Sequence, residues 1–123
     1  MSRVRGKDTR PELRVRRMVF AMGYRYRLHD GTLPGRPDLV FRARRKAIFV
    51  HGCFWHRHAR CALTRTPKSR VSFWSEKFAG NLRRDQRNLR ALRARGWRVL
   101  VVWECQVGQL AGPRKRIKEF LDA

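Results

Sequence analysis

Between His51 and Cys61 the chain reads His51-Gly52-Cys53-Phe54-Trp55-His56-Arg57-His58-Ala59-Arg60-Cys61, a run that gathers most of its histidines and cysteines beside two adjacent aromatics. Thiolate sulfur and imidazole nitrogen are the ligands zinc prefers in structural sites, and three cysteines with one histidine form a recognised tetrahedral set. Cys53, His58 and Cys61 are close enough in sequence for one loop to wrap an ion, and Cys105 can supply the fourth ligand. The competing reading makes Cys105 a small buried hydrophobe at a strand end and the loop cysteines incidental. A loop so rich in ring nitrogens and thiols would be poorly ordered without a staple, and a small domain benefits from one.

A second chemistry centres on Asp38. It follows the turn Pro34-Gly35-Arg36-Pro37 in a chain with 31 Lys and Arg against 9 Asp and Glu. A lone acid among arginines is ordinarily a salt-bridge partner. Here, however, the apolar run Ala47-Ile48-Phe49-Val50 delivers His51 and then His56 beside it. Metal-assisted phosphodiester cleavage needs this combination, because a hard cation takes carboxylate oxygen and the attacking water needs a base. The formal net charge of +22 is spread from Arg3 to Lys118, so the positive surface belongs to the folded domain and calls for a polyanion. Nucleic acid fits better than a membrane surface. No apolar run approaches the roughly 20 residues needed to span a bilayer, and no signal peptide opens the chain. A cytoplasmic protein is expected, in a reducing compartment that favours metal binding over disulfides.

The elements that must position these groups are legible. Thr9-Arg10-Pro11-Glu12 opens a helix with Thr9 as cap and Glu12 at the capping-box position, and Gly23 closes it. Tyr24 to His29 alternates as a half-buried strand, and 30–35 is turn chemistry. Pro37 to Phe41 and Ala47 to Val50 form a hairpin around a basic turn. A long helix, capped near Ser69 or Ser72, carries Phe78, Leu82, Leu89 and Leu92 on one stripe and ends at Gly96. Trp97 to Trp103 is a strong strand that Glu104-Cys105 terminates, and Pro113 to Leu121 is a last helix. The expected fold class is α/β, with a mixed sheet flanked by helices in one domain over 1–123.

Four motifs in order, Leu33-Pro34-Gly35-Arg36-Pro37-Asp38, the run Phe49 to His56, Phe73-Trp74-x-x-Lys77-x-x-x-Asn81-x-x-x-Asp85, and Gly96-Trp97-Arg98-Val99 through Trp103-Glu104-Cys105, resemble the very short patch repair (Vsr) mismatch endonucleases. The likeness runs from about Ser2 to Leu121. It implies a restriction-endonuclease-like fold with a structural zinc site and an enzyme that nicks one strand next to the thymine of a T·G mismatch left by deamination of 5-methylcytosine. By motif, Asp38 would bind Mg2+ with the backbone carbonyl of Val50. His56 would be the general base, oriented by Glu12, and His51 would hold water on the cation or the phosphate. Glu12 is explained as well by its capping role. Phe54, Trp55 and Trp74 would wedge beside the mismatch, with Lys77 and Asn81 contacting the same base pairs. The basic arm that family members carry ahead of Ser2 does not stand here. His29 receives no role.

The resemblance further implies a monomer acting on double-stranded DNA in the bacterial cytoplasm, at the nucleoid, with mismatch-repair proteins as partners. Two other readings stay open: a nuclease of the same fold with a different DNA substrate, and a non-catalytic, zinc-stabilised nucleic-acid-binding protein. Asp38 with His56 separates them, because a pure binder has no need of an acid in its basic groove.

Overall fold

The structure, a computed structural model, describes residues 9–107 and 111–123. The segment Ser2 to Lys7 therefore lies outside the described residues. Four strands form one sheet in the order β1 (Arg27–Leu28), β2 (Leu39–Phe41), β3 (Lys46–His51) and β4 (Arg98–Trp103). The first two contacts are antiparallel and β3 pairs with β4 in parallel. Helices α1 (Arg10–Ala21), α2 (Val71–Ala94), α3 (Glu104–Val107) and α4 (Ala111–Asp122) complete a mixed α/β fold. A parallel pair needs a crossover, and α2 supplies it between β3 and β4.

Strand β3 is buried on both faces and divides the core by alternation. Ile48, with Leu39, Phe41 and Val102, packs against Val15 and Val19 of α1 and Ile117 and Leu121 of α4. Ala47 and Phe49 turn the other way, onto Val40, Leu92 and Trp97. Lys46 is also buried, and its Nζ donates to the carbonyls of Phe120 (2.7 Å), Leu121 (3.0 Å) and Ala123 (2.7 Å). Carbonyls at a helix C-terminus lack intrahelical donors, so this one ammonium pins α4 to the sheet.

The element order expected from sequence stands, with three local differences. Strand β1 is two residues long rather than running from Tyr24, because its partner β2 is itself only three residues. Tyr24 instead closes α1, its N–H donating to Val19 O, and its hydroxyl bonds Asp122. Helix α2 is capped neither by Ser69 nor by Ser72. Its N-cap is Arg70, in the left-handed region at φ 54°, with no side-chain cap. Glu104 and Cys105 do not simply end β4 but open the short helix α3. Among the described residues no helix is long and apolar enough to cross a membrane.

Candidate active site

The hairpin and the parallel pair bring their ends to one place. Asp38, directly before β2, is buried, and its Oδ2 accepts the Val50 N–H at 2.7 Å. Burial pushes its carboxyl up to about 7, with the nearby Glu12 carboxylate raising it further against the Val50 hydrogen bond. His51 ends β3, and its ring stacks on that of His56 with centroids 3.8 Å apart and planes 5° from parallel. Burial holds the His51 imidazole down at about 4, and His56 beside it adds to the effect. His51 is therefore neutral at physiological pH, and its Nδ1 is buried without a hydrogen-bond partner. A buried unpaired ring nitrogen is costly, so this atom suits a ligand or water held in the cleft.

His56 is held by Asp85 of α2, with Nδ1 to Oδ2 at 2.6 Å. That contact fixes the imidazole's orientation and, with the Nδ1 proton directed to the carboxylate, leaves Nε2 to accept. The resemblance implies Glu12 as the group that orients His56; the carboxylate bonded to its ring here is Asp85. Thr9 caps α1, its Oγ1 accepting the Glu12 N–H at 3.4 Å. The Glu12 side chain is buried and takes Arg16 and the Nε2 of His29, the latter at 2.6 Å. His29 also stands 3.8 Å from Asp38 Oδ1.

Asp85 and His29 thus join the site without having been assigned to it. Asp85 lies four residues beyond Asn81 on the helix that carries Trp74 and Lys77. As one of only 9 acids in the chain, it could have been singled out on that basis. His29 could not, because its position depends on the β1–β2 register.

The Cys/His cluster follows from register too. In the parallel pair His51 lies opposite Trp103, so two residues further on Cys53 and Cys105 meet, and the Cys105 N–H donates to Cys53 Sγ at 3.4 Å. His58 Nδ1 lies 3.6 Å from Cys53 Sγ and 3.4 Å from Cys105 Sγ. With Cys61 all four ligand atoms fall within 4.8 Å of one another. Ligands bound tetrahedrally at zinc's usual bond lengths stand about 3.4–3.8 Å apart, so the donor set fits a zinc-sized ion. The carbonyls of Cys53 and His58 both accept from Thr64 Oγ1, and the His58 ring stacks on Trp103 at 4.2 Å. Burial pushes the Cys53 thiol up to about 12 and raises Cys105, while the Leu63 backbone N–H helps bring Cys61 down to about 7.

Above the histidines lies an aromatic pad. Phe54 and Trp55 meet edge to face at 5.0 Å, Trp74 lies 5.8 Å from Trp55 and 5.9 Å from Phe54, and Phe78 underlies all three. Lys77 Nζ sits 5.9 Å from the Trp55 ring, and Asn81 donates to the Trp55 carbonyl at 3.3 Å. One open cleft is lined by Glu12, Asp38, His56 and Asp85 at its floor and by Phe54, Trp55, Lys77, Asn81 and Arg84 along its wall. Every sequence-assigned catalytic and aromatic residue therefore lies in or beside one cleft, and the four cysteine and histidine ligands form a separate cluster next to it.

A buried carboxylate and an aspartate-held histidine, opening on a basic surface bordered by aromatics, are the equipment of a phosphodiester-cleaving nuclease. The comparisons give the family. The family model "DNA mismatch endonuclease Vsr" matches residues 1–63. The chain is 51% identical over 122 residues to the type II nicking enzyme V.XorIIP of Xanthomonas oryzae pv. oryzae, covering 99% of this chain and 89% of that one. It is 45% identical over 121 residues to the DNA mismatch endonuclease Vsr of Escherichia coli, covering 98% and 75%. A type II nicking enzyme of Neisseria meningitidis, V.NmeAIP, is 39% identical over 121 residues, 98% of this chain and 86% of its own. The chain belongs to the Vsr family and is a DNA-nicking endonuclease, and the family implies a restriction-endonuclease-like fold.

Proposed function

We propose that this enzyme nicks one strand of duplex DNA beside the thymine of a T·G mismatch, using Mg2+ in the cleft and a structural zinc in the Cys/His cluster. The observation that carries the reading is the single cleft that puts Asp38 and the His56–Asp85 pair at the foot of the Phe54–Trp55–Trp74 pad. Cleavage chemistry and a surface suited to unstacking bases are adjacent there. Asp38 and the carbonyl of Val50 would hold the Mg2+, which would neutralise charge on the scissile phosphate. His56 accepts the proton of the attacking water through Nε2, while Asp85 stabilises the imidazolium that results. His51, neutral at working pH, holds water or a phosphate oxygen. Trp55 and Trp74 stack into the opened step, which costs less to open at a mispair than at a paired step. Exposed arginines of α2, among them Arg83, Arg87 and Arg90, grip phosphates without reading sequence. The protein works as a cytoplasmic monomer at the nucleoid.

End-labelling each strand of a T·G duplex tests this reading. Only the thymine strand should be nicked, at one position, and only with the divalent cation present. Cleavage of both strands, or cleavage in chelator, would sink it.

Asp38 gives the site a pH signature. Because its carboxyl is raised to about 7 in the folded protein, the stability its protonated form contributes below the ordinary carboxylate range is lost as pH climbs through about 7. A cation competes with that proton. Calorimetric Mg2+ affinity of the DNA-free protein should therefore rise about tenfold between pH 6 and pH 8 and then level. A flat profile over that interval contradicts the assignment.

The zinc reading predicts about one zinc per chain in freshly purified protein. Cys105→Ser unties the loop that presents His56 from α3. It should lower the melting temperature by about 10 °C or more, as a loss of a few kcal/mol does in a domain of this size, and lower nicking with it. An unaltered melting temperature would make Cys105 a merely buried thiol.

A further inference from the structure

His29 stands behind the cleft, against the Glu12 and Asp38 that line it, and neither the motifs nor the chemistry above employs it; three features mark it. Its backbone is left-handed at φ 47°, a region that non-glycine residues seldom occupy and that clusters at functional sites when they do. Its N–H donates to the Asp38 carbonyl at 3.2 Å, one step beyond the Leu28–Leu39 pair, so the residue is locked in register with Asp38. Its Nε2 lies 2.6 Å from Glu12 Oε2 and 3.8 Å from Asp38 Oδ1, and one donor atom from each of the three residues falls within 4.8 Å of the others.

We propose that His29 is a positioning residue for the catalytic cation, holding the Glu12 carboxylate in place across from Asp38. This rests on the reading of Asp38 as cation ligand. Oδ2 of Asp38 is engaged by the Val50 N–H, and Oδ1 stands 3.8 Å from the His29 Nε2 that bonds Glu12. Two carboxylates facing each other repel unless each is held by donors. Arg16 and His29 both bond the same oxygen of Glu12, from one turn further along α1 and from the end of β1. Glu12 is thereby fixed from two elements and kept from folding back or swinging away. Groups that orient cation ligands in this manner typically change metal affinity 10- to 100-fold when removed. A purely structural tie between α1 and β1 would not need to lie 3.8 Å from the cation's carboxylate.

The test uses zinc-loaded, DNA-free protein titrated with Mn2+ by calorimetry. His29→Asn is the informative variant, because asparagine tolerates the left-handed backbone but is too short to reach Glu12. Its Mn2+ affinity should fall about tenfold or more, and His29→Gln, whose amide can still donate to Glu12, should recover most of the loss. In nicking assays the Mg2+ concentration for half-maximal rate should rise by the same factor, while the rate at saturating Mg2+ stays within a few-fold of wild type. Combining His29→Asn with Glu12→Ala should cost no more affinity than Glu12→Ala alone. Wild-type Mn2+ affinity in folded His29→Asn, or additive losses in the double variant, would overturn the proposal. Asp38→Asn serves as the control: if it binds Mn2+ like wild type, the assignment of Asp38 is what fails, whereas loss of binding there with none in His29→Asn removes only the role of His29.

Discussion

Asp38→Asn should lower nicking of a T·G duplex by about a thousandfold or more and leave DNA affinity equal to or above that of the wild type. A cation held by Asp38 would contribute several kcal/mol of charge stabilisation where phosphate charge develops, and about 1.4 kcal/mol is a tenfold change in rate. Binding rests elsewhere, on phosphate contacts from a surface with a net charge of +22, and removing one carboxylate from the cleft only adds to that attraction. The variant should not unfold, because burial already disfavours the ionised carboxyl there. His56→Ala should cost about 10²- to 10⁴-fold through loss of the base. Asp85→Asn should fall between wild type and His56→Ala, since the imidazole remains but loses the partner 2.6 Å away that orients it. Single-turnover nicking and equilibrium binding, measured on the same preparations, check all three. Nicking by Asp38→Asn at the wild-type rate would remove the carboxylate from the mechanism.

Trp55→Ala should reduce affinity for a T·G duplex about five- to a hundred-and-fifty-fold, the range of about 1–3 kcal/mol for one base stacked on an aromatic ring. It should change affinity for the fully paired duplex far less. Trp55 is the better probe of the pad because Trp74 stacks on the buried Phe78 at 5.5 Å and contributes to packing as well. Lys77 and Asn81 already touch Trp55, one over its ring and one at its carbonyl, so they act first by holding the ring in place. Lys77→Ala and Asn81→Ala should therefore lower mismatch preference in the same direction as Trp55→Ala. Competition binding with T·G and T·A duplexes reads the difference. A folded Trp55→Ala with the wild-type preference would leave the wedge without a role.

What the sequence carried, it carried through local chemistry. The Thr9 cap, the Gly96 stop, the apolar run 47–50 and the stripe of Phe78, Leu82, Leu89 and Leu92 are short-range signals, and the elements they mark are present, although Leu82 itself is exposed. The Cys53–His58–Cys61–Cys105 cluster was legible because thiols and imidazoles crowded into one loop, with one more thiol at a strand end, have few other uses. What escaped depends on pairing between distant strands. The His29–Glu12–Asp38 cluster exists because β1 and β2 align Leu28 with Leu39, and no spacing within one segment encodes that register. The His56–Asp85 pair requires α2 to lie across the end of β3, a packing result that no local spacing encodes. The Arg70 cap was missed for a different reason: Ser69 and Ser72 are stronger cap formers, yet the chain enters α2 through a left-handed residue instead.

The central claim is that cleavage and mismatch recognition share one cleft, and the ratio of single-turnover nicking rates on two duplexes differing only in a central T·G or T·A pair tests it most directly. With protein in excess and Mg2+ saturating, the T·G duplex should be nicked on the thymine strand at least about a hundredfold faster, as stacking of two aromatics into an already weakened step allows. Equal rates on the two duplexes would contradict the account and point to a nuclease of this fold with another substrate.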